Sequence, residues 1–299
     1  NIRDGVFDDP SFLPAIYEAD EADDWADPAT WLKANPNLGV SVRHDYLERE
    51  CQRAQNEPSY ENVFKRLHLN IRTRQDVRWL PMEAWDNCGG DQPDGLIKAE
   101  CFGGLDLAQT TDIAALVLYF PDTNYLLCRF WIPADRADKR EKRDRVPYMT
   151  WARQGMVTLT PGNVIDYKYI RAEINELSET YNIRKIGYDP YNASQIAQQL
   201  LDEDGLPMIA HRQGFLSMNE PSKIFELAVM SGELNHANNA VLRWMAGNVT
   251  VKTDPSGNIK PDKDKSNEKI DGIVAAIMAM GLSAMSEVEN DFNPMVAML

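Results

Sequence analysis

The sequence predicts an α/β protein built on one mixed sheet: an antiparallel three-strand meander extended by parallel strands, flanked by helices and preceded by a mostly helical region. Three observations carry this expectation. The apolar runs "CFGGLDLA", "DIAALVLYF" and "NYLLCRFWIP" are separated only by the short polar links "QTT" and "PDT", which suit antiparallel returns. From Asp166 onward helix-like and strand-like segments alternate, a pattern that adds parallel strands to such a sheet. Residues 1–95 instead carry apolar side chains at helical spacing and end in the breaker-rich stretch "CGGDQPDG".

Taken in order, the chain opens with an expected entry strand around "FLPAIYEAD" and an acidic loop, and then turns helical. In "SYENVFKRLHLN", Tyr60, Val63, Phe64 and Leu67 fall at i, i+3, i+4 and i+7, one face of a helix opened by Pro58. "LPMEAW" places Pro81 where a first helical turn tolerates it, and the Gly/Pro break after it sets a domain boundary near 90–97, dividing the chain into 1–95 and 96–299. After the meander come a basic segment, a short helix around "PYMTWARQ" and an extended "MVTLT". A helix then runs from Asp166, its capping residue, with Ile170, Ile174, Leu177 and Tyr181 on one face. Strand "RKIGYD", helix "ASQIAQQLLDE", strand "PMIAHR" and helix "PSKIFELAVMSG" follow. The hairpin "NVTVKTDPSGNIKPD" and a last helix, "KIDGIVAAIMAMGLSAM", complete the chain.

Composition narrows the function. At 299 residues, 43% hydrophobic and 26% charged, the chain can bury a sizeable core. It holds no apolar run long enough for a membrane span and no signal peptide, so the expectation is a soluble intracellular protein. The start at Asn1 suggests a fragment of something longer. Cys51, Cys88, Cys101 and Cys128 are far apart and the histidines lack HxxxH or HExxH spacing, which argues against structural zinc and disulfides. The net charge of −15 argues against nucleic acid, which needs Lys and Arg for its phosphates. That charge is segregated, however: nine acids lie between residues 1 and 30 against Arg3 alone, whereas Arg129 to Arg145 holds seven basic residues and four acids. By itself "DRADKREKRDR" reads as a solvated loop or helix face. Phosphate-loop, dinucleotide and serine-elbow motifs are absent, so ATP hydrolysis is not expected of this chain alone.

Three carboxylates draw attention. Asp106 sits inside an apolar strand between Leu105 and Leu107, where turn chemistry does not explain it. Asp189 ends "RKIGYD" before Pro190, and Asp271 opens the final helix; taken singly, these two also read as a turn residue and a dipole partner. If the first strand is central, the next parallel strand pairs beside it and the last helix packs across it, so the three acids converge beyond the carboxyl ends of the strands. Converging carboxylates repel and need a cation. Mg²⁺ or Mn²⁺, two ions per site, answers that need and serves phosphodiester hydrolysis, with Asp106 between the metals. Asp112, six residues beyond Asp106, fits a hairpin turn or an auxiliary ligand.

With these elements in place the chain resembles the large terminase subunit of tailed bacteriophages, specifically its C-terminal nuclease domain of ribonuclease H-like fold. "FGGLDLAQTTDIAALVL" is similar to the first-strand motif with its metal-binding Asp, here Asp106. "IGYDPYNASQIAQQL" resembles the segment with the second acid, Asp189, and "VLRWMAGNVTVKTDPSGNIKPDKDKSNEKIDGIVAAIMAMG" the block with the third, Asp271. The resemblance runs through most of 96–285, while "WLKANPNLGVSV" and "FKRLHLNIRT" are similar to the region joining ATPase and nuclease. It implies a metal-dependent endonuclease that cuts concatemeric double-stranded phage DNA at packaging. The implied partners are the portal protein, a small terminase subunit and an HNH nuclease, in the host cytoplasm at the procapsid portal, with no membrane. It also makes DNA-contact candidates of Lys139, Arg140, Lys142 and Arg143, and of Lys252, Lys260, Lys263 and Lys265 in the late hairpin. Two other readings stand beside it: a non-catalytic packaging-motor scaffold with a degenerate nuclease fold, and an actin-like kinase lobe, whose duplicated lobe and Gly-rich loop the sequence lacks.

Overall fold

The structure, a computed structural model, describes residues 15–20, 22–56, 58–71, 79–107, 113–135, 137–263, 266 and 269–291, without the side chains of 58, 59, 192, 194 and 287–291. It divides into two units, Asn1–Trp79 and Leu80–Leu299. The division falls before the expected Gly/Pro break because Trp85, ahead of that break, is fully buried in the second unit, where its ring stacks on His236 and meets Phe225.

The first unit is helical. Helices α1 (Pro28–Ala34), α2 (His44–Asn56) and α3 (Pro58–His68) bury Trp31, Leu47, Cys51, Phe64 and Leu69 around one small core. Asp27 caps α1 by accepting from the Ala29 amide. The entry strand expected around "FLPAIYEAD" does not form: residues 15–20 have no regular structure, and 12–14 lie outside the described residues. Ala19 donates a backbone hydrogen bond to the Leu69 carbonyl there, and among the described residues no strand pairs with the segment.

The second unit begins with α4 (Met82–Asn87) and the expected meander, β1 (Glu100–Asp106), β2 (Ala114–Phe120) and β3 (Tyr125–Pro133). Next come α5 (Ala137–Asp144), α6 (Tyr148–Arg153), β4 (Thr158–Thr160) and α7 (Tyr167–Thr180). The alternating part supplies β5 (Asn182–Tyr188), α8 (Pro190–Asp202), β6 (Met208–Ala210) and α9 (Phe215–Met230). The chain continues through α10 (Ala240–Asn248), the hairpin β7 (Val251–Thr253) and β8 (Ile259–Pro261), and α11 (Asp271–Asp291).

The main sheet has the order β4-β3-β2-β1-β5-β6. Strand β2 runs antiparallel to both of its neighbours, β1 and β3, while β5 is parallel to β1, β6 to β5 and β4 to β3. This is the ribonuclease H-like mixed sheet. Helices α7 and α8 cover one face, burying Ile170, Ile174, Leu177, Ile196 and Leu200 against Leu105, Leu107, Leu116 and Ile186. The other face takes α11, with α9 packed beside it.

Gly104 explains how close α11 comes. A Cβ there would lie 1.9 Å from the Ala275 carbonyl oxygen, so only glycine lets the helix backbone rest directly on β1. Side chains alternate along a strand, so Asp106 shares this face with Gly104 while Leu105 and Leu107 enter the opposite core. The docking of α11 thereby carries Asp271, its first residue, to Asp106.

Two further elements differ from the sequence reading. Helix α9 begins six residues before Pro221, which the pattern marks as its start. Proline inside a helix normally costs a hydrogen bond, and here its buried ring packs where a Cβ at Gly281 of α11 would fall, 2.6 Å from Cγ. Helix α10 has no counterpart in the sequence reading, and the basic segment, which reads as a solvated loop or helix face, forms the helix α5.

Candidate active site

The end of β1 presents Asp106, which is 1% exposed. Its two oxygens are occupied differently: Oδ2 accepts from Lys263 Nζ at 2.6 Å and Oδ1 from Gln213 Nε2 at 3.1 Å. The same ammonium stands 3.8 Å from Asp271 Oδ1, whereas Asp271 Oδ2 is buried with no hydrogen-bond partner among the described residues. Burial first, and the charge of Asp106 second, push the Asp271 carboxyl up to about 7, with Lys263 opposing. Burial disfavours the charge on Lys263, yet Asp106 and Asp271 together hold its pKa above the ordinary lysine value. The arrangement is two acids sharing one cation.

Asp189 follows β5 at the same edge. The register pairs Leu105 with Tyr188, so Asp106 and Asp189 leave adjacent strands side by side. Asp189 is half-buried and caps α8, accepting from the Tyr191 amide at 3.1 Å. Its charge is felt by Lys263 and by His211 at the end of β6. His211 is buried, its Nδ1 has no hydrogen-bond partner among the described residues, and burial lowers its pKa. Among the described residues, no group of three or more His, Cys, Asp and Glu side chains stands close enough to hold a metal ion. Asp106 and Asp271 therefore come together as a pair, with Asp189 beside them and turned to its helix. Asp112 and Lys265 lie outside the described residues.

The basic candidates fall into two groups, one at the hairpin and one on α5. Lys252 pairs with the buried Asp262 at 2.9 Å. Lys260 donates to the Gln213 carbonyl at 3.1 Å and lies over the Phe215 ring. With Lys263 these two line a cavity of about 200 Å³ that also touches Gln213, Met218 and Asp262. On α5, Lys139 and Lys142 are exposed, Arg140 lies over Tyr148, and Arg143 pairs with Asp144 at 2.5 Å. Because β3 runs antiparallel to β2, α5 leaves the sheet at the edge where β1 ends.

Sequence reasoning missed Gln213, His211 and Asp262. Gln213 follows a three-residue strand in a segment without periodicity, and nothing local marks it. Lys263 was anticipated as a DNA contact; its ion pair with Asp106, far away in sequence, was not.

The donor set bears on the choice of cation. Carboxylate oxygens are hard ligands, and the buried, unpartnered Oδ2 of Asp271 next to a second buried acid fits Mg²⁺ or Mn²⁺. The family described as terminase large subunit, endonuclease domain, matches residues 6–287. The chain belongs to this family. It is 35% identical over 294 residues to Protein YmfN of Escherichia coli (strain K12), covering 93% of this chain and 64% of that protein. It is 31% identical over 302 residues to the terminase large subunit of Enterobacteria phage HK97, covering 96% and 58%. The crystal structure of the HK97 bacteriophage large terminase superposes with a TM-score of 0.64 at 32% identity, over 92% of this chain and 58% of that one. The chain thus spans 58–64% of the length of these relatives. Among the described residues, no helix is long and apolar enough to cross a membrane.

Proposed function

We propose that this terminase nuclease domain is a metal-dependent endonuclease that cuts concatemeric double-stranded DNA during phage packaging. The buried pair of Asp106 and Asp271, gathered around one ammonium at the carboxyl edge of the sheet, is the observation that carries the reading. Asp106 and Asp271 would hold two Mg²⁺ or Mn²⁺ ions, with Asp189 joining them from the start of α8. When bound, such ions stabilise the attacking and leaving oxygens of a phosphodiester in an in-line displacement. Gln213 fixes one oxygen of Asp106 and so sets the orientation of the carboxylate. Lys263 balances the two acids, a charge that bound divalent ions would supply in its stead. Lys252 and Lys260 supply phosphate contacts on one side of the acids, and Lys139 and Lys142 of α5 supply them on the other.

Family membership supports partnership with the portal protein, a small terminase subunit and an HNH nuclease in the host cytoplasm, and a first unit that joins this domain to an ATPase. Plasmid nicking in Mg²⁺ or Mn²⁺ tests the core of the reading. The expected result is nicking by the wild type, lost on chelation and in Asp106→Asn. A folded wild type that leaves DNA intact with either metal would favour the scaffold reading.

A further inference from the structure

Two large apolar side chains stand in water at the edge of the sheet that carries the acids. Tyr191 is 83% exposed and Leu216 is 92% exposed. Both occupy the second position of a helix, Tyr191 after its cap Asp189 and Leu216 after its cap Gly214. Helical side chains tilt toward the helix N-terminus, so both project past the carboxyl edge rather than back over the sheet. They do so from opposite sides, because α8 packs on the Leu105 face while α9 packs with α11 on the Asp106 face. The amide of Tyr191 is itself bonded to Asp189, which leaves the sheet next to Asp106.

We infer that Tyr191 and Leu216 are substrate-contact residues that grip the scissile strand from its two sides, Tyr191 stacking on a nucleobase beside the cut and Leu216 packing on the neighbouring sugar. The inference rests on the nuclease reading above. It commits to a nucleic-acid strand because the cations beside Leu216 are those a phosphate backbone needs. Arg212 is exposed at the end of β6, one residue before Gln213, and Lys260 lies over Phe215, the neighbour of Leu216. A strand offers phosphates and flat apolar faces in alternation, and every base has a face to stack, so such a contact tolerates any sequence. Only a base released from its own stack can reach Tyr191. Cleavage therefore favours sites with unpaired bases at the cut.

The test compares wild type, Tyr191→Ala, Tyr191→Phe and Leu216→Ala on a matched duplex and on the same duplex with a short bubble at the cut, with 2-aminopurine placed beside it. Exposure of both side chains lets the variants fold. Tyr191→Ala should raise KM by about tenfold with kcat nearly unchanged, in line with the loss of one stacked base. Tyr191→Phe should behave as wild type, and Leu216→Ala should raise KM less. The bubble should lower KM for wild type and not for Tyr191→Ala, and wild type alone of these two should quench 2-aminopurine. A wild type that cuts, with Tyr191→Ala matching it in KM and quenching, overturns the contact and keeps the nuclease; a protein partner as the true occupant would give this result. Wild-type quenching without any cleavage keeps the contact and removes the nuclease reading.

Discussion

Asp106 and Asp189 leave neighbouring strands at the same edge, yet they live in different chemistry. Asp106 is sealed between Lys263 and Gln213 and faces a second buried acid, while Asp189 is half-buried and spends an oxygen on the first turn of its own helix. Residue type and position along the strand do not separate them. What separates them is α11, whose backbone lies on Gly104 and lowers Asp271 onto Asp106, whereas Asp189 meets the start of α8. A carboxylate becomes a charge problem when a tertiary contact buries another beside it, and remains a cap when its nearest donors are local.

The largest expected effect comes from removing charge at the pair. Asp106→Asn and Asp271→Asn should each reduce nicking to below about one-hundredth of wild type, about 2.7 kcal/mol of barrier. Asp189→Asn sharpens the comparison. An equal loss, read in the same plasmid assay, would make Asp189 a third ligand, and retained activity would leave it a cap.

Lys263→Met should destabilise the metal-free protein by about 1–2 kcal/mol, less than for a deeply buried pair because the lysine side chain is partly exposed. Urea unfolding with and without Mn²⁺ checks this, since divalent charge should restore much of the loss. No recovery with Mn²⁺ would separate the lysine from the metal role of the acids.

Capping predicts a smaller stability effect at Asp189. Asp189→Ala should cost about 1 kcal/mol, while Asp189→Asn should cost only a few tenths, because Asn caps as well as Asp. Thermal melts of the two variants distinguish cap from charge.

The pH dependence of the pair follows from Asp271. Its folded pKa, about 7, lies above the ordinary 3.8, so its contribution to stability is present below about 3.8 and is lost as pH rises through about 7. Asp271→Asn should therefore gain in melting temperature relative to wild type across that window in chelator, and the advantage should vanish at the acid end. Wild-type stabilisation by Mn²⁺ should grow over the same window as the competing proton leaves.

The smallest effect concerns the exposed lysines of α5. Lys139→Ala with Lys142→Ala should flatten the dependence of log K on log salt for duplex binding by up to about 0.9 for each phosphate that is no longer neutralised. An unchanged slope would return α5 to a solvated helix face.

Local sequence determined a good deal. The apolar runs of β1 to β3 between short polar links and the helical spacing of α3 and α7 were readable because these signals lie within one element or at its ends, and Asp106 stood out as a charge between two core leucines. Proline and glycine misled where their role was tertiary, as Pro221 shows: it reads as a helix start and sits instead inside α9, against Gly281. The partners of Asp106 were beyond local reading. Gln213 and Lys263 lie 107 and 157 residues away, and only the close seat of α11 on β1, with the hairpin folded beside it, puts an amide and an ammonium on the two oxygens of one carboxylate. Electrostatic neighbours are chosen by packing, so the sequence named the acid and the tertiary structure decided the company that sets its chemistry.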